Sequence, residues 1–291
     1  MTTHSFLRLY RLSVKSAASD ELVNTYLQRP AAACLTYALA FTTVTPNQVT
    51  FVSTVFGIAL GVLLALPTPE YAAAALCAWL KDVFDSADGQ LARATGRLSR
   101  RGRFWDSIGD FAVNTALFIG LGSTLVREGH GLLLAALAST LGWLSVNLRV
   151  SYQVFYQTSY LHAKGSYMQN RVTEEVRAED TVESDRVTLV LQKIFQVMYG
   201  WQDRLTAAID RRCRRRAGNP PLVQWYEDNT SLRLNRLFGM GTDFVTLTVC
   251  LAVRNPDAYL IVSLVAFNLL WTLAVAYRFF FALRTSASSS K

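Results

Sequence analysis

The apolar residues of this chain are gathered into long blocks, and this feature constrains the fold most. Hydrophobic residues make up 51% of the 291 residues, and the mean hydropathy is +0.21. A helix needs about 20 apolar residues to cross a hydrocarbon layer about 30 Å thick. Because several blocks approach that length, the sequence excludes an ordinary soluble enzyme and a disordered chain. It predicts an all-α, polytopic membrane protein.

The apolar blocks predict six transmembrane helices. A shorter apolar run at residues 31–41 cannot span a bilayer, so it predicts an N-terminal interfacial helix. The predicted segments are an N-terminal segment (1–45), helices one to four (46–157), a basic insert (158–236), helices five and six (237–284) and a polar tail (285–291). We expect the tail to be disordered because it holds only small and polar residues.

The distribution of charge indicates which side of the membrane each link faces. The net charge is +8. Cytoplasmic loops of membrane proteins carry an excess of Lys and Arg, and the inner leaflet is anionic. The arginines of link 94–103 and of the insert therefore predict that both links are cytoplasmic. Both termini, and the acidic stretch at residues 85–110 described below, should then lie on the same side. The arginine-rich run 211–216 has no nucleic-acid recognition module beside it. The expected partner is thus anionic lipid, not nucleic acid.

Within the insert, five apolar residues recur at intervals of four, three, four and four, which places them on one face of a helix. They are Val190, Ile194, Val197, Trp201 and Leu205. Two interpretations fit this apolar stripe. An interfacial helix would lay it on an anionic leaflet, beside the arginines that follow. A helix of a small cytoplasmic cap would instead bury it against the protein.

Four carboxylates lie in one stretch between two apolar blocks. Asp85 and Asp88 are three residues apart, so on a helix they share a face. Asp106 and Asp110, four residues apart, share a face in the same way. If the two helices face each other, the four carboxylates repel one another unless a cation neutralises them. Oxygen ligands suit Mg²⁺ or Mn²⁺, so the stretch is predicted to be a metal site beside the membrane.

Small residues and one arginine accompany these aspartates at fixed positions. The pattern is Asp-x-x-Asp-Gly-x-x-Ala-Arg, eight residues, then Gly-x-x-x-Asp-x-x-x-Asp, and all eight fixed positions are present in residues 85–110. It resembles the signature of the CDP-alcohol phosphotransferases, also called CDP-alcohol phosphatidyltransferases. A match of eight positions over 26 residues is a specific signal. We expect the resemblance to cover the membrane helices and not the insert after residue 157.

The resemblance implies a divalent-metal-dependent transferase of phospholipid biosynthesis that works as a homodimer. A CDP-linked alcohol would donate its phosphoryl-alcohol group to an acceptor hydroxyl, and CMP would leave. The residues that would line a site for two Mg²⁺ or Mn²⁺ ions are Asp85, Asp88, Asp106 and Asp110. The last of them, Asp110, would be the general base. The residues that would lie on the cytidine side are Gly89, Ala92, Arg93 and Gly102.

Two further residues have both a structural and a functional interpretation. Thr45 and Pro46 predict a helix start, and Asn47 beside them could simply belong to the cap. In the resembled family, an Asn in this Pro-Asn-x-x-Thr pattern lies near the donor diphosphate. Arg149, toward the end of the fourth predicted span, could extend its charge to the interface. Alternatively, its planar cation could bind an acceptor phosphate.

Three functions remain open. The first is a phosphatidyltransferase that uses CDP-diacylglycerol and a small polar acceptor, which is a polyol, a polyol phosphate, an amino alcohol or an amino acid. The second is a phosphotransferase that uses a soluble CDP-alcohol and a lipid or polyol acceptor. The modest length and six predicted spans favour the first. A non-enzymatic cation channel or transporter is the third, and it would not require the small residues at those spacings.

Overall fold

The computed structural model describes residues 6–13, 18–165, 171–177, 180 and 185–280. Every regular element in these residues is a helix, so the predicted all-α class is confirmed. The predicted polar tail, residues 285–291, lies outside the described residues.

Eleven helices are numbered here in chain order within the described residues. A short π-helical turn, Asn24–Gln28, leads into α2, and a second π-helical segment, Val262–Phe267, lies inside α11. The helices are α1 (Phe6–Ser13), α2 (Arg29–Leu39), α3 (Pro46–Ala65), α4 (Tyr71–Ala94), α5 (Arg100–Arg127), α6 (Leu132–Ala163), α7 (Arg186–Arg216), α8 (Leu222–Tyr226), α9 (Asn229–Asn235), α10 (Met240–Ala252) and α11 (Pro256–Phe280).

The helices that carry the functional motifs begin at well-formed caps. The Thr45 hydroxyl accepts a hydrogen bond from the backbone N–H of Gln48, and the Gln48 side chain accepts one from the backbone N–H of Thr45. This reciprocal cap and Pro46 at the first helical position confirm the predicted start of α3. The Ser99 hydroxyl caps α5 by accepting from the N–H of Gly102, 3.0 Å away.

Four of the described helices are long and apolar enough to cross a membrane: α3, α5, α6 and α11. This confirms a polytopic, membrane-type fold, but the predicted count of six spans is not confirmed. Helix α4 has 24 residues, yet Lys81 and three aspartates lie in its second half. Helix α10 has only 13 residues, which at 1.5 Å per residue is about 20 Å. Helix α4 therefore carries too much charge, and helix α10 is too short, to be confirmed as a membrane span.

Helices α3 and α5 make a close backbone contact through glycines. A Cβ atom added to Gly61 would lie 2.4 Å from the carbonyl oxygen of Ala116, and one added to Gly120 would lie 2.5 Å from the carbonyl oxygen of Gly61. Only a residue without a side chain allows the two backbones to approach so closely. Gly57, one turn before Gly61, faces the side chain of Val113. The contact holds together the two helices whose N-terminal parts carry Asn47 and Asp106.

The insert helix α7 packs directly against α5, which carries the second half of the motif, and against α6. The Phe195 ring lies 5.5 Å from the Phe104 ring of α5, measured between centroids. The Tyr199 hydroxyl donates to the carbonyl oxygen of Ser107, 3.0 Å away. On α6, the Ser151 hydroxyl donates to the Gln202 side chain at 2.6 Å. The insert is thus part of the structure that surrounds the acidic stretch.

The predicted apolar stripe of α7 faces away from the protein. Among its members, Val190 is 56% exposed and Val197 is 80% exposed, while the opposite face buries polar residues such as Gln192 and Gln202. The interpretation in which the stripe packs into a small cytoplasmic cap is therefore wrong, because a different face of the helix makes the packing contacts. An outward apolar face agrees with a helix that lies against lipid.

Candidate active site

Three of the four motif aspartates converge on one point. Helix α4 supplies Asp85 and Asp88, and α5 supplies Asp106. One carboxylate oxygen from each residue lies within 4.8 Å of the oxygens of the other two. The predicted spacing argument is therefore correct for these three residues, since two helices that face each other bring them together.

A lysine occupies the space beside the fourth aspartate. The ammonium nitrogen of Lys81 lies 2.7 Å from a carboxylate oxygen of Asp110 and 3.2 Å from one of Asp85. The Lys81 side chain is only 1% exposed. Sequence reasoning missed this residue, although a lysine four positions before an aspartate on a helix is a recognisable ion-pair spacing. Its ammonium links the two helices at the end of the cluster.

Hydroxyl groups of α3 support the cluster from a third side. The Thr50 hydroxyl donates to Asp88 and lies 3.2 Å from the carbonyl oxygen of Pro46. The Ser53 hydroxyl donates to the backbone carbonyl of Lys81 at 2.8 Å. These hydrogen bonds join α3 to α4 beside the cluster.

The donor set of the cluster fits a hard divalent cation. Asp85, Asp88 and Asp106 present carboxylate oxygens at one point, and these oxygens are the ligands that Mg²⁺ and Mn²⁺ prefer. The Oδ2 atom of the neighbouring Asp82 is buried and has no hydrogen-bond partner among the described residues. A buried excess of negative charge of this kind is relieved by protonation or by a bound cation.

A cavity of about 410 Å³ opens on one side of the cluster. All the residues that the resemblance assigns to the nucleotide line it: Asn47, Gly89, Ala92, Arg93 and Gly102. A Cβ atom on Gly102 would lie 2.9 Å from the side-chain oxygen of Asn47, so glycine is needed for this close approach. Asp88 and Asp106 line the same cavity, and Arg97, Arg100 and Arg103, which sequence reasoning did not single out, add positive charge.

A second cavity, of about 230 Å³, opens on the other side of α5. It shares Arg103 and Asp106 with the first cavity and contains Asp110. Most of the other polar residues that line it come from α5, α6 and the insert: Ser107, Asn114, Asn147, Ser151, Gln157, Thr158, Arg171, Tyr199 and Asp203. The cluster therefore stands between two cavities, with Asp110 facing the smaller one.

Two carboxylates of the insert hold the arginines of the cavities. Glu174 accepts hydrogen bonds from Arg103 and, at 3.0 Å, from Arg100. Asp180 accepts from Arg171 at 2.8 and 2.9 Å. Burial alone would raise the pKa of Asp180, but hydrogen bonds, first from Arg171 and also from Arg100, lower that pKa below its ordinary value. The insert thus orients the arginines, a role that no sequence signal revealed.

Asp203 of α7 adds a titratable group to the second cavity. Burial raises the pKa of Asp203 to about 7, although nearby Arg103 acts to lower it. A carboxylic acid with such a pKa exists in both protonation states near neutral pH. It can therefore donate a hydrogen bond to a bound molecule or accept one from it.

Arg149 lines neither cavity. Its guanidinium is fully buried, and Nη2 donates to both carboxylate oxygens of Asp243 in α10, at 3.0 and 2.9 Å. Nη1 donates to the carbonyl oxygen of Ser263 in α11 at 2.8 Å. The structure thus commits this arginine to joining α6, α10 and α11. We leave it out of the proposed acceptor site.

The family comparison agrees with this geometry. Residues 43–174 match the family model described as CDP-alcohol phosphatidyltransferase. This match covers the acidic cluster and the parts of α3, α4 and α5 that line the cavities, and it confirms the predicted resemblance to the family. The similarity supports transfer from a CDP-alcohol to an alcohol acceptor. The match extends past residue 157 into the insert, where we expected it to stop. No curated protein matches the chain significantly.

Proposed function

We propose that this protein is a membrane phosphatidyltransferase that moves a phosphatidyl group from CDP-diacylglycerol to a hydroxyl of a small polar acceptor and releases CMP. The observation that carries the proposal is the position of the acidic cluster between two cavities that share Asp106 and Arg103. A donor in one cavity and an acceptor in the other would meet at the carboxylates. Such an arrangement suits transfer of a group between two bound substrates.

The donor cavity would hold the CDP part of the substrate. Asn47, Gly89, Ala92, Arg93 and Gly102 line it, as the resemblance implies for the nucleotide side. Arg97 and Arg100 are placed to attract a diphosphate, since a guanidinium binds phosphate oxygens in a planar, two-point manner. The small residues leave room for the backbone and the ligand to approach each other.

Asp85, Asp88 and Asp106 would hold Mg²⁺ or Mn²⁺. When bound, a divalent ion neutralises diphosphate oxygens and stabilises the leaving oxygen. Asp110 would remove the proton from the acceptor hydroxyl, because its carboxylate lines the second cavity and lies outside the group of three converging carboxylates. The deprotonated hydroxyl oxygen would then attack the phosphorus, and CMP would depart into the donor cavity.

The second cavity favours a small, polar acceptor. Its volume of about 230 Å³ suits a compact molecule, and hydroxyl, amide, carboxyl and guanidinium groups line it. A polyol, a polyol phosphate, an amino alcohol or an amino acid could use these groups. Apolar side chains such as Val154 and Phe155 line the rest of the cavity, so it is the small volume, and not the lining, that favours a compact acceptor over the lipid acceptor of the alternative with a soluble CDP-alcohol.

Measurement of CMP release separates these functions. Purified protein in detergent is supplied with Mn²⁺, CDP-diacylglycerol and one acceptor at a time, and parallel reactions contain a soluble CDP-alcohol and diacylglycerol. We expect CMP release only with CDP-diacylglycerol and a small polar acceptor, and none when a chelator removes the metal. Release with the soluble donor and the lipid acceptor would favour the alternative. Cation flux in reconstituted vesicles without any CMP release would support the channel.

The predicted orientation and lipid partner are part of the proposal. The exposed apolar stripe of α7 and the arginines at its C-terminal end would lie on the anionic cytoplasmic leaflet. Both termini and the active site would then be cytoplasmic, where the nucleotide is available from water. A single cysteine placed at Arg211, in a background in which all four native cysteines are replaced by serine, should be labelled only after the cells are opened. Labelling from outside would exclude this orientation. The homodimer that the resemblance implies stays a prediction.

A further inference from the structure

Lys81 occupies the space that a second metal ion would need in order to bridge Asp85 and Asp110. Its ammonium nitrogen lies between Asp110, at 2.7 Å, and Asp85, at 3.2 Å. A cation bridging the same two carboxylates would need that space. The remaining motif carboxylates, together with Asp85, form the group of three that converges on one point.

The lysine is held firmly in this position. Its side chain is 1% exposed, and its ammonium lies 4.8 Å from the centre of the Phe244 ring of α10. A cation at this distance from an aromatic face is attracted to it. The Ser53 hydroxyl also fixes the backbone carbonyl of Lys81. A buried ammonium that left Asp85 and Asp110 would lose its two charge partners, so movement away from them is unfavourable.

We propose that Lys81 is a built-in cation that replaces the second metal ion of the active site, so that the protein binds one divalent ion, at Asp85, Asp88 and Asp106. This inference rests on the proposed function, which places a divalent ion at that group. It differs from the sequence-based expectation of two ions. Near the ammonium, a second divalent ion would meet strong repulsion, because like charges interact strongly where water is excluded.

The arrangement also positions the proposed base. An ion pair with Lys81 fixes one oxygen of Asp110, and the carboxylate lines the second cavity. A lysine provides this orientation whether or not a metal is bound. A carboxylate that instead ligated a second ion would have its lone pairs engaged by that ion. Lys81 is thus a positioning residue for Asp110 and not itself a group that touches the reacting atoms.

The inference is tested by counting bound Mn²⁺ ions on the full chain. A separate group of Glu128, His130 and Asp257 could also bind a metal, so every protein in the test carries His130→Ala. Titration calorimetry gives the number of ions, and electron paramagnetic resonance detects a coupled Mn²⁺ pair, since paired sites lie about 3.5–4 Å apart. The variants are Lys81→Met, which removes the charge, Lys81→Arg, which keeps it, and Lys81→Met combined with Asp110→Asn.

We expect one uncoupled Mn²⁺ per chain in the parent protein and in Lys81→Arg. Lys81→Met should bind two coupled ions, and the added Asp110→Asn should return the count to one. Two ions in the parent protein would overturn the inference, and so would a single ion in Lys81→Met. If Lys81→Met does not fold, the parent count still decides. No bound Mn²⁺ in the parent protein would overturn the proposed metal site itself, which distinguishes the two failures.

Discussion

Two of the buried ion clusters in the described part of this helical protein have different surroundings. The first contains Lys81 and the motif aspartates, and the second contains Arg149 and Asp243. Both join helices, and both use a cation that is at most 1% exposed. The Arg149 cluster lines neither of the two cavities, and its guanidinium donates to a carboxylate, a hydroxyl and a carbonyl. The Lys81 cluster contains more acids than cations and borders both cavities.

This difference indicates which buried charges stabilise the fold and which ones are available to a ligand. In the Arg149 cluster one cation and one carboxylate neutralise each other, so the pair needs no bound ion. A cluster with excess negative charge is unstable unless a cation or a substrate group completes it. Burial alone does not distinguish the two. What distinguishes them is whether the charges balance and whether a ligand can reach them.

The largest expected effect is on turnover. Asp110→Asn should lower the rate of CMP release by about 10²–10⁴-fold, which is the usual contribution of a general base. Binding of Mn²⁺ and donor should largely survive, because Asp85, Asp88 and Asp106 remain. Asp106→Asn is the contrasting variant, since it removes a ligand and should weaken both binding events. Rates are measured beside Mn²⁺ affinity. Near-normal turnover in Asp110→Asn would show that this residue is not the base.

The second effect is on stability. Arg149→Met should lower the free energy of unfolding by about 3–5 kcal/mol, because Asp243 is left as an unpaired buried charge. Arg149→Met combined with Asp243→Asn should recover much of this loss, since no buried charge remains. Thermal unfolding in detergent measures the change. CMP release per folded molecule should stay near the parent value in both variants, and a selective loss of activity would mean that Arg149 serves the site.

The third effect extends the comparison to a buried carboxylate outside the spans. Glu21 accepts hydrogen bonds from the backbone N–H and hydroxyl of Thr242, at 2.9 and 2.8 Å. Burial nevertheless raises the pKa of Glu21 from 4.5 to about 7. Between these values the folded chain holds a proton that the unfolded chain has released, so stability falls as pH rises through this window.

The slope attributable to Glu21 is at most about 1.4 kcal/mol per pH unit. Glu21→Gln should make the free energy of unfolding depend less on pH between about pH 5 and pH 7, which is the range over which the pKa of Glu21 is raised. Glu70→Gln, at an exposed position, is the matched control and should retain the parent slope. Thermal unfolding at several pH values gives the comparison. An unchanged slope in Glu21→Gln would show that Glu21 does not titrate in this range.

The smallest expected effect tests whether the insert positions the site. Glu174→Gln removes the charge that holds Arg100 and Arg103, so we expect a rise in KM for donor and acceptor of about tenfold, equivalent to about 1.4 kcal/mol. The value of kcat should change less. The neighbouring Glu175 is exposed, so Glu175→Gln is the matched control and should behave as the parent. Equal effects of the two substitutions would exclude a positioning role for Glu174.

Local patterns in the sequence predicted much of the site but not all of it. The aspartates and glycines lie at fixed spacings on two helices, so their convergence could be inferred from helix geometry. Lys81 carried a detectable signal, four residues before Asp85, yet only the fold shows that its ammonium reaches Asp110. Glu174 carried no signal, because its partners Arg100 and Arg103 lie 74 and 71 residues away in the chain.

The sequence by itself determined the helical membrane fold, the start of α3, the position of the acidic stretch and the resemblance to the family. These properties depend on composition, on helical periodicity and on spacing within short segments, which are local quantities. Only the tertiary structure decided that three aspartates converge while Lys81 pairs with the fourth, that Arg149 pairs with Asp243 outside both cavities, and that the insert holds arginines of the cavities. Those outcomes depend on which distant side chains meet in a low-dielectric interior, where each buried charge must find a partner that no local pattern specifies.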